Sequence, residues 1–506
     1  MEIKKGNIKL NQQIAKAAAN TLVEGDIVVP DVCPDVAEIL SADARVRIVD
    51  TEYRNGRLNI QGKVCFSALY MPDDKCAELK CVNQDFDFST ALDIKADEMA
   101  DFDVKAYTEH IGFTLINSRK IAVKVMVGLK AFAECEKSYE PVTRIDADNV
   151  ECAEKKYSIY VPLSRICTEI EVSDILTVPE DLPDIAEILK VDSWATLDSS
   201  KTLNGKEMVH GVLHINTMYT ASDERGSVIC VHNSVPFTEI VEAPGADEQS
   251  VVNVSFDVLD VHTASKGDLN GNTKIISVEA VIECCVKVSR SVSENVIDDC
   301  YFLSGKTEQT RDKMKICEYI TSETTRITEH QKVELPKNVK INEVINCCAK
   351  LKSTESSWEK GTAKVNATLI TYLTYRDDSG LVRCAVTESE PSWEKAIAEN
   401  CDIEAQMWIE DINAQADAGG AQILANVGLY MKALKPRNVN ILTDVNCKEE
   451  ESNGKMPSMV VYFVREGDTL WSIAKKYRTK IEKIKNANNL DTDKIEVGRR
   501  LLIPKA

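Results

Sequence analysis

The feature that most constrains the fold is an internal repeat. Residues 29–40 read VPDVCPDVAEIL, and residues 178–189 read VPEDLPDIAEIL, so that the motif recurs 149 positions later. A more divergent copy, LPKNVKINEVI, occupies residues 335–345 and has lost the Pro-Asp step. Self-similarity at a long, fixed interval indicates that one structural unit is used several times. The sequence therefore predicts three related units in tandem.

Each copy of the motif is followed by segments that alternate apolar and polar residues, as β-strands do. These segments are residues 56–70, 208–219 and 363–375, and later residues 120–127, 274–281 and 422–429. Turn pairs precede the earlier segments at Asn55-Gly56, Asn204-Gly205 and Lys360-Gly361, and further turns follow them at 72–74, 223–226 and 377–380. Strands of this kind bury one face against a second sheet, which predicts antiparallel β-sandwich-like units.

The repeated motif is predicted to open each unit with a short helical turn over residues 34–40. Pro34 suits the first helical position, and the carboxylates of Asp35 and Glu38 would lie near the positive end of the helix dipole. Two carboxylates three residues apart also raise the question of catalysis. Because no acid or base recurs beside them, we expect a structural role.

The charge of the chain is unevenly distributed. Sixty-one Lys and Arg residues against 81 Asp and Glu residues give a net charge of −20, which argues against a protein that binds nucleic acid along its whole length. Residues 459–506 contain eleven basic and six acidic residues, a net charge of +5, which leaves −25 for the rest. An acidic scaffold with a basic terminal module is expected to meet protein partners.

No motif indicates catalysis, a metal or a cofactor. The 17 cysteines show no framework spacing or Cys-x-x-Cys pair, and we expect reduced thiols in a cytosolic protein. His210 and His214 lie close together but lack a third ligand. Phosphate-binding loops and nucleophile elbows are absent from the sequence. No signal peptide or apolar run of transmembrane length is visible, so we expect neither export nor a transmembrane segment.

A different module follows a polar linker at residues 446–458. Its pattern predicts a strand over 460–464, a helix over 470–477 that Asp468 or Thr469 can cap, a second helix over 480–487, and a closing strand over 501–504. The segments VREGDTLWSIA (464–474), NNL (488–490) and IEVGRRLLIP (495–504) resemble a complete LysM domain. The resemblance implies a small α+β (βααβ) fold with a shallow groove for N-acetylglucosamine polymers such as peptidoglycan or chitin.

Carried over by position, the resemblance implies a groove between two loops. The residues that would line it are Gly467, Asp468, Thr469, Leu470 and Trp471 on one side, and Asn489, Leu490, Asp491 and Ile495 on the other. Trp471 is open to two interpretations, as part of the core or as a partly exposed aromatic anchor. A group of basic residues lies on the two helices and is either a solvated helix surface or a basic docking face for an acidic partner. The docking face would contain Lys475, Lys476, Lys480, Lys483 and Lys485, and Arg478 lies among them.

The order of the motifs extends the resemblance to the whole chain. Units that carry VPDxxPDxAEIL, followed by one LysM domain, resemble the spore-coat SPOCS (DUF3794) proteins of endospore-forming Firmicutes, and among them the clostridial SipL type. This predicts SPOCS units at 1–152 and 153–315, a diverged unit at 316–445, the linker at 446–458 and LysM at 459–506. The third unit departs from the family pattern at Lys340, where the Pro-Asp step is lost.

The resemblance implies a non-catalytic scaffold of spore coat assembly. Its implied partners are the SpoIVA-type ATPase of the basement layer and other coat proteins, in the mother-cell cytoplasm at the forespore surface. The alternative is a protein of the cell wall or cortex that binds peptidoglycan or another N-acetylglucosamine polymer. The sequence leaves open whether the groove binds glycan or protein.

Overall fold

The computed structural model describes residues 1–73, 78–223, 226–267, 271–335, 339–417, 419–448 and 458–504. The predicted turn residues Asp74, Glu224 and Arg225, the motif residues 336–338 and the linker residues 449–457 lie outside the described residues. The expected fold class is confirmed, since the described chain is mainly antiparallel β-structure and ends in a small module with two helices and two strands.

The first unit is built from two sheets that face each other. Its strands are β1 Glu2–Lys5, β2 Ile8–Val28, β3 Val36–Arg54, β4 Arg57–Pro72, β5 Lys80–Asp93, β6 Asp101–Asn117, β7 Lys120–Tyr139 and β8 Val142–Asp146. Among the described residues, the two sheets have the orders β2-β7-β6 and β3-β4-β5, and β1 pairs with β8. Ile60 and Val64 of β4 are completely buried in one core with Val125 and Val127 of β7. The alternation in these strands is therefore the alternation between core and surface.

The second and third units repeat this arrangement. The strands of the second are β9 Val150–Thr177, β10 Ile185–Leu203, β11 Lys206–Ala221, β12 Val228–Glu242, β13 Val251–Lys266 and β14 Ile275–Phe302. Those of the third are β15 Lys306–Glu334, β16 Ile341–Glu359, β17 Thr362–Asp377, β18 Val382–Ser389, β19 Ser392–Ala396, β20 Asp402–Asp417 and β21 Gly420–Lys448. The described sheets have the orders β9-β14-β13, β10-β11-β12, β15-β21-β20 and β16-β17-β18, with β19 also paired to β17. The expected boundary at 315/316 lies inside β15; the domain boundaries stay predictions.

The turn pairs stand where the sequence predicts them. Asn55 and Gly56 have φ angles of 51° and 83°, and this two-residue loop places Arg54 opposite Arg57. Lys360 and Gly361 have φ angles of 48° and 87° in the equivalent loop of the third unit. Positive φ at both positions matches the right-handed twist of the flanking strands, which fixes the hairpin register.

The helical turn predicted for residues 34–40 is wrong, because this segment enters strand β3. The Asp35 carboxylate accepts hydrogen bonds from Arg119 Nη1 at 2.6 Å and Ser118 Oγ at 2.7 Å, and the Val36 N–H donates to the Ser118 carbonyl at 2.8 Å. These bonds tie the motif to the β6–β7 hairpin and hold it extended. In the second unit Asp184 accepts in the same way from the Thr273 N–H, at 3.1 Å.

Equivalent residues of the three units meet in shared clusters. One apolar cluster contains Leu79, Val228 and Val382, one from each unit. Another contains Leu10, Ile159 and Met314, from the first long strand of each unit. Because each cluster needs all three units to exclude water, the units are expected to support one another's stability.

A buried polar network accompanies the first of these clusters. Lys190 Nζ lies 2.8 Å from Asp192 Oδ1 and 3.7 Å from Asp43 Oδ2, and Lys350 also pairs with Asp43. Asn346 Nδ2 donates to Asp192 Oδ2 at 3.2 Å. Burial would raise the pKa of Asp43, but the positive charges of Lys350 and Lys190 outweigh it and hold that pKa well below its usual value. The network links all three units.

One expectation about the cysteines is also wrong. Cys167 of β9 and Cys285 of β14 stand directly opposite each other and form a disulfide, whereas we expected reduced thiols throughout. Neighbouring strands in a sheet bring opposed side chains close enough for this bond, although the two residues are 118 positions apart in sequence. Fourteen other cysteines are free within the described residues, and Cys76 lies outside them.

The C-terminal module has the predicted order of elements, β22 Met459–Phe463, α1 Leu470–Tyr477, α2 Ile481–Ala487 and β23 Arg500–Pro504. Its core contains Ile473, Ile484 and Leu501, all almost completely buried. Of the helices in the described part of the chain, none has the length and apolar character that crossing a membrane requires.

Candidate binding site

The two loops predicted to frame a groove leave the same end of the β22-β23 ribbon. Phe463 stands opposite Arg500 at that end, and the Val464 N–H donates to the Arg499 carbonyl at 2.9 Å. The chain thus leaves β22 towards α1 and returns from α2 towards β23 at neighbouring points. This places the first loop, 464–469, and the second loop, 489–499, at one edge of the module.

Side-chain hydrogen bonds hold the first loop in shape. Thr469 caps α1, since its Oγ1 accepts from the Ser472 N–H at 3.0 Å, while Ser472 Oγ accepts from the Thr469 N–H. Asp468 has a different role and accepts from the Tyr462 hydroxyl at 2.7 Å and the Arg465 N–H at 2.8 Å. These two hydrogen bonds, of which the one from Arg465 has the larger effect, hold the pKa of Asp468 below its usual value. Gly467 has a φ angle of 84°, which favours glycine.

The predicted groove residues differ in what they offer a ligand. Leu470 is buried in the core, and Leu490 and Ile495 are half-buried against it. Thr469, Asn489 and Asp491 are exposed. Asn489 has a φ angle of 51° at the end of α2, a conformation that asparagine tolerates. The polar groups available at this edge are therefore hydroxyl, amide and carboxylate groups, together with backbone.

Trp471 contacts the second unit as well as its own module. Its ring packs edge-to-face on Tyr301 with centroids 5.0 Å apart, and its indole Nε1–H donates to Asp299 Oδ2 at 2.8 Å. The Tyr301 hydroxyl in turn donates to the Thr479 carbonyl at 2.8 Å. Trp471 is half-buried, packs against the core of its own module and bonds Asp299 of the second unit, while its role as an anchor for a ligand stays a prediction.

Lys475 strengthens the same contact. Its Nζ lies 2.6 Å and 2.7 Å from the two Asp299 carboxylate oxygens. Burial would raise the pKa of Asp299, but hydrogen bonds from Gln309, Lys475 and Trp471 outweigh it and lower that pKa. We call Asp299, Tyr301, Trp471 and Lys475 the docking contact.

The other lysines of the predicted basic face have different surroundings. Lys480 lies 3.9 Å from Glu151 of the second unit, and Lys485 pairs with Asp493 at 2.9 Å. Lys476 lies over the Tyr462 ring, 5.2 Å from its centroid, and Lys483 is exposed. Only part of this basic surface is therefore turned towards solvent.

The candidate metal ligands His210 and His214 hydrogen-bond neighbouring hydroxyl groups. His214 uses both ring nitrogens, with Thr196 Oγ1 at 3.0 Å and Ser234 Oγ at 3.2 Å, and His210 Nδ1 bonds Thr238 Oγ1 at 2.8 Å. Cys167, Glu283 and Cys285 bring three ligand-type atoms within 4.8 Å of one another. Both sulfurs, however, are used in the disulfide.

Neither Asp299 nor Tyr301 could be recognised as a contact residue from sequence. They lie near the end of the long strand β14 and carry no motif, and they are 172 and 178 residues from the groups they bond. An acidic residue next to an aromatic one near a strand end is too common to mark a contact. The basic charge of the terminal module on an acidic chain was the one available signal.

Comparisons with known proteins agree with the motifs. The LysM domain model matches residues 462–504, and the SipL SPOCS-domain model matches residues 35–116 and 184–265. The uncharacterized protein YkzQ of Bacillus subtilis (strain 168) is 42% identical over 43 residues, which are 8% of this chain and 57% of YkzQ. The chain thus covers little more than half of that relative. No solved structure matches.

The matched segments agree with the structure. Those of the SPOCS model lie in equivalent parts of the first two units, and the LysM match includes both loops of the candidate site. SPOCS and LysM are binding domains, and the matched families include no enzyme. The chain therefore contains two segments that match the SPOCS domain of SipL and a C-terminal segment that matches the LysM domain.

Proposed function

We propose that this protein is a non-catalytic scaffold of spore coat assembly, at the forespore surface in the mother-cell cytoplasm. In this role the LysM module binds a SpoIVA-type coat ATPase, and the β units contact other coat proteins. The observation that carries the proposal is the combination of two SPOCS-domain matches with one LysM match. The docking contact, in which Trp471 and Lys475 bond Asp299 at 2.6–2.8 Å, fixes the LysM module to the second unit. A module held in this way presents its loops in a defined direction relative to the β units.

The shared clusters of the three units support the same role. A scaffold must transmit position from one bound partner to another, which requires units that do not move independently. The clusters around Leu79, Val228 and Val382 and around Leu10, Ile159 and Met314 provide such coupling. The exposed Thr469, Asn489 and Asp491 remain available at the edge of the LysM module.

A pull-down from sporulating cells with the tagged full chain tests the proposal. We expect wild type to recover the SpoIVA-type ATPase, deletion of residues 459–506 to abolish its recovery, and the double substitution Asn489→Ala with Asp491→Ala to reduce it. Asp493→Ala is the matched control, because Asp493 lies in the same loop but pairs with Lys485. Equal recovery of the ATPase by wild type, the deletion and the double variant would refute its proposed binding to the LysM module.

The second candidate function is binding of peptidoglycan or another N-acetylglucosamine polymer. The LysM match across both loops favours it, and so do the exposed hydroxyl and amide groups there, since such groups hydrogen-bond sugars. Co-sedimentation of the full chain with purified peptidoglycan sacculi tests this function. Loss of co-sedimentation in the Asn489/Asp491 double variant, with Asp493→Ala unaffected, would favour the glycan. No co-sedimentation of wild type would exclude this function.

A further inference from the structure

A cavity of about 580 Å³ lies where the three units meet, separate from the LysM module. It is lined by residues of all three units, from Gln13 of the first to Lys432 of the third. Five lysines and three acidic residues line it, and these are Lys105, Lys130, Lys287, Lys352, Lys432, Asp103, Glu134 and Glu404. The cavity thus carries an excess of two positive charges, in a chain whose net charge is −20.

Two of these lysines lie directly opposite each other on neighbouring strands. Lys105 of β6 is the register partner of Lys130 of β7. Like charges directly opposite on neighbouring strands destabilise a sheet. Lys130 Nζ lies 5.5 Å from the centroid of the Tyr107 ring, and within the described residues neither lysine forms an ion pair. Because this lysine pair lowers the stability of the sheet, its presence at the cavity is better explained by a role in binding.

The acids of the cavity are largely used by other cations. Asp103 pairs with Arg165 at 2.7 Å and Lys287 at 3.7 Å, and Glu404 pairs with Lys432 at 2.7 Å. Lys352 has its own partner in Glu109 at 3.0 Å. Glu134 then remains as the acid nearest in sequence to Lys130.

The electrostatic surroundings agree with this imbalance. Burial lowers the pKa of Lys105, and the charges of Lys287, Arg165 and Lys130 lower it further, against the opposing effect of Asp103. Burial also raises the pKa of Glu134, which weakens the one remaining negative charge. A bound anion would oppose the lowering of the Lys105 pKa and would raise the pKa of Glu134 further, so that Glu134 repels it less.

We propose that this cavity binds a small phosphate-bearing anion between Lys105 and Lys130. Lysine ammonium groups bind phosphate as point charges, and a cavity of this volume is typical of small-molecule sites. The Tyr160 hydroxyl, which accepts from Lys432 Nζ at 3.1 Å and also bonds Ser289 Oγ, lines the same space. Lys105 is exposed, so solvent reaches the site, although the surrounding protein partly desolvates its ammonium group.

The test is isothermal titration calorimetry of the full chain with inorganic pyrophosphate and, separately, with ADP. We expect saturable binding of at least one of them and a rise of about 5 °C in Tm at saturation. Equal binding of both indicates that the phosphate groups suffice, whereas binding of ADP alone indicates a nucleotide; either result supports the site. Absence of binding by both anions would overturn the proposal.

Matched variants distinguish the cavity from general attraction of anions. Lys105→Gln should weaken binding at least tenfold and raise the anion-free Tm, because it removes the repulsion, whereas Lys105→Arg should retain binding. Lys124→Gln removes the same charge from β7 outside the cavity, where Lys124 pairs with Glu24. Equal weakening by Lys105→Gln and Lys124→Gln, or equal stabilisation by sodium chloride of the same ionic strength, would also overturn it.

Discussion

The docking contact makes a quantitative prediction for Asp299→Ala. In the folded chain the Asp299 carboxylate accepts from Trp471 Nε1 at 2.8 Å and pairs with Lys475 at 2.6 Å. The Asp299 side chain is 21% exposed and that of Lys475 is 39% exposed. A hydrogen bond to a charged group contributes about 1.5–3 kcal/mol, and the partly exposed ion pair adds less than about 1 kcal/mol.

We therefore expect Asp299→Ala to weaken the contact between the LysM module and the second unit by about 2–3 kcal/mol. This raises the fraction of molecules in which the module has left the second unit roughly 30- to 150-fold. The assay is hydroxyl-radical footprinting, with the oxidation rate of Trp471 measured relative to that of Trp358 in the third unit. Trp471 should become oxidised severalfold faster in the variant, because its ring leaves Tyr301.

Asp298→Ala is the matched control for this experiment. Asp298 is the sequence neighbour of Asp299, but its carboxylate contacts Tyr157 at 3.5 Å and not the LysM module. The reasoning would be refuted if Trp471 were oxidised at the wild-type rate in Asp299→Ala, or if Asp298→Ala accelerated its oxidation equally.

Four further predictions follow from named contacts. The pKa of Asp299 is depressed from its ordinary 3.8, so its contribution to docking is complete above about pH 4 and lost as the pH falls further; wild-type Trp471 footprinting should rise only below that pH, and a rise at neutral pH would contradict this. Lys190→Met should lower the free energy of unfolding by about 3–5 kcal/mol in urea denaturation, because Asp43 and Asp192 lose a buried partner, whereas Lys206→Met, in an exposed pair with Glu242, should cost less than about 1 kcal/mol. Reduction of Cys167–Cys285 should lower stability by up to about 4–5 kcal/mol for a separation of 118 residues, and Cys167→Ser should make the thermal melt insensitive to reductant; an unchanged wild-type melt would be the contrary result. Gly211→Ala should cost about 1–3 kcal/mol, because its Cβ would lie 2.3 Å from the Phe237 ring, while Gly112→Ala, with 3.8 Å to its nearest neighbour, should be close to neutral in the same denaturation assay.

Local pattern was enough to predict the strands and turns of the β units. Alternation and the Asn55-Gly56 and Lys360-Gly361 pairs depend on backbone geometry within a few residues, and the structure has the hairpins at those places. The helices of the LysM module were predictable for the same reason, since capping by Thr469 and the apolar spacing of Leu470, Ile473 and Ala474 are local.

The failures came from contacts between distant residues. Residues 34–40 have the composition of a helix start, but Arg119, 84 positions away, holds Asp35 in an extended segment. The cysteines gave no framework spacing, yet the register of β9 and β14 places Cys167 against Cys285. The partners of Trp471 likewise lie in another unit. Such pairings depend on tertiary arrangement, which one sequence does not encode in any local pattern.

We propose that the chain is a scaffold at the forespore surface that binds the SpoIVA-type ATPase through its LysM module. The most direct measurement is fluorescence localisation of the full chain, and of the chain without residues 459–506, in sporulating cells. We predict a ring of full-length protein around the forespore and a diffuse mother-cell signal for the deletion. A signal of the full chain at the vegetative cell wall, or a forespore ring that persists in the deletion, would contradict the claim.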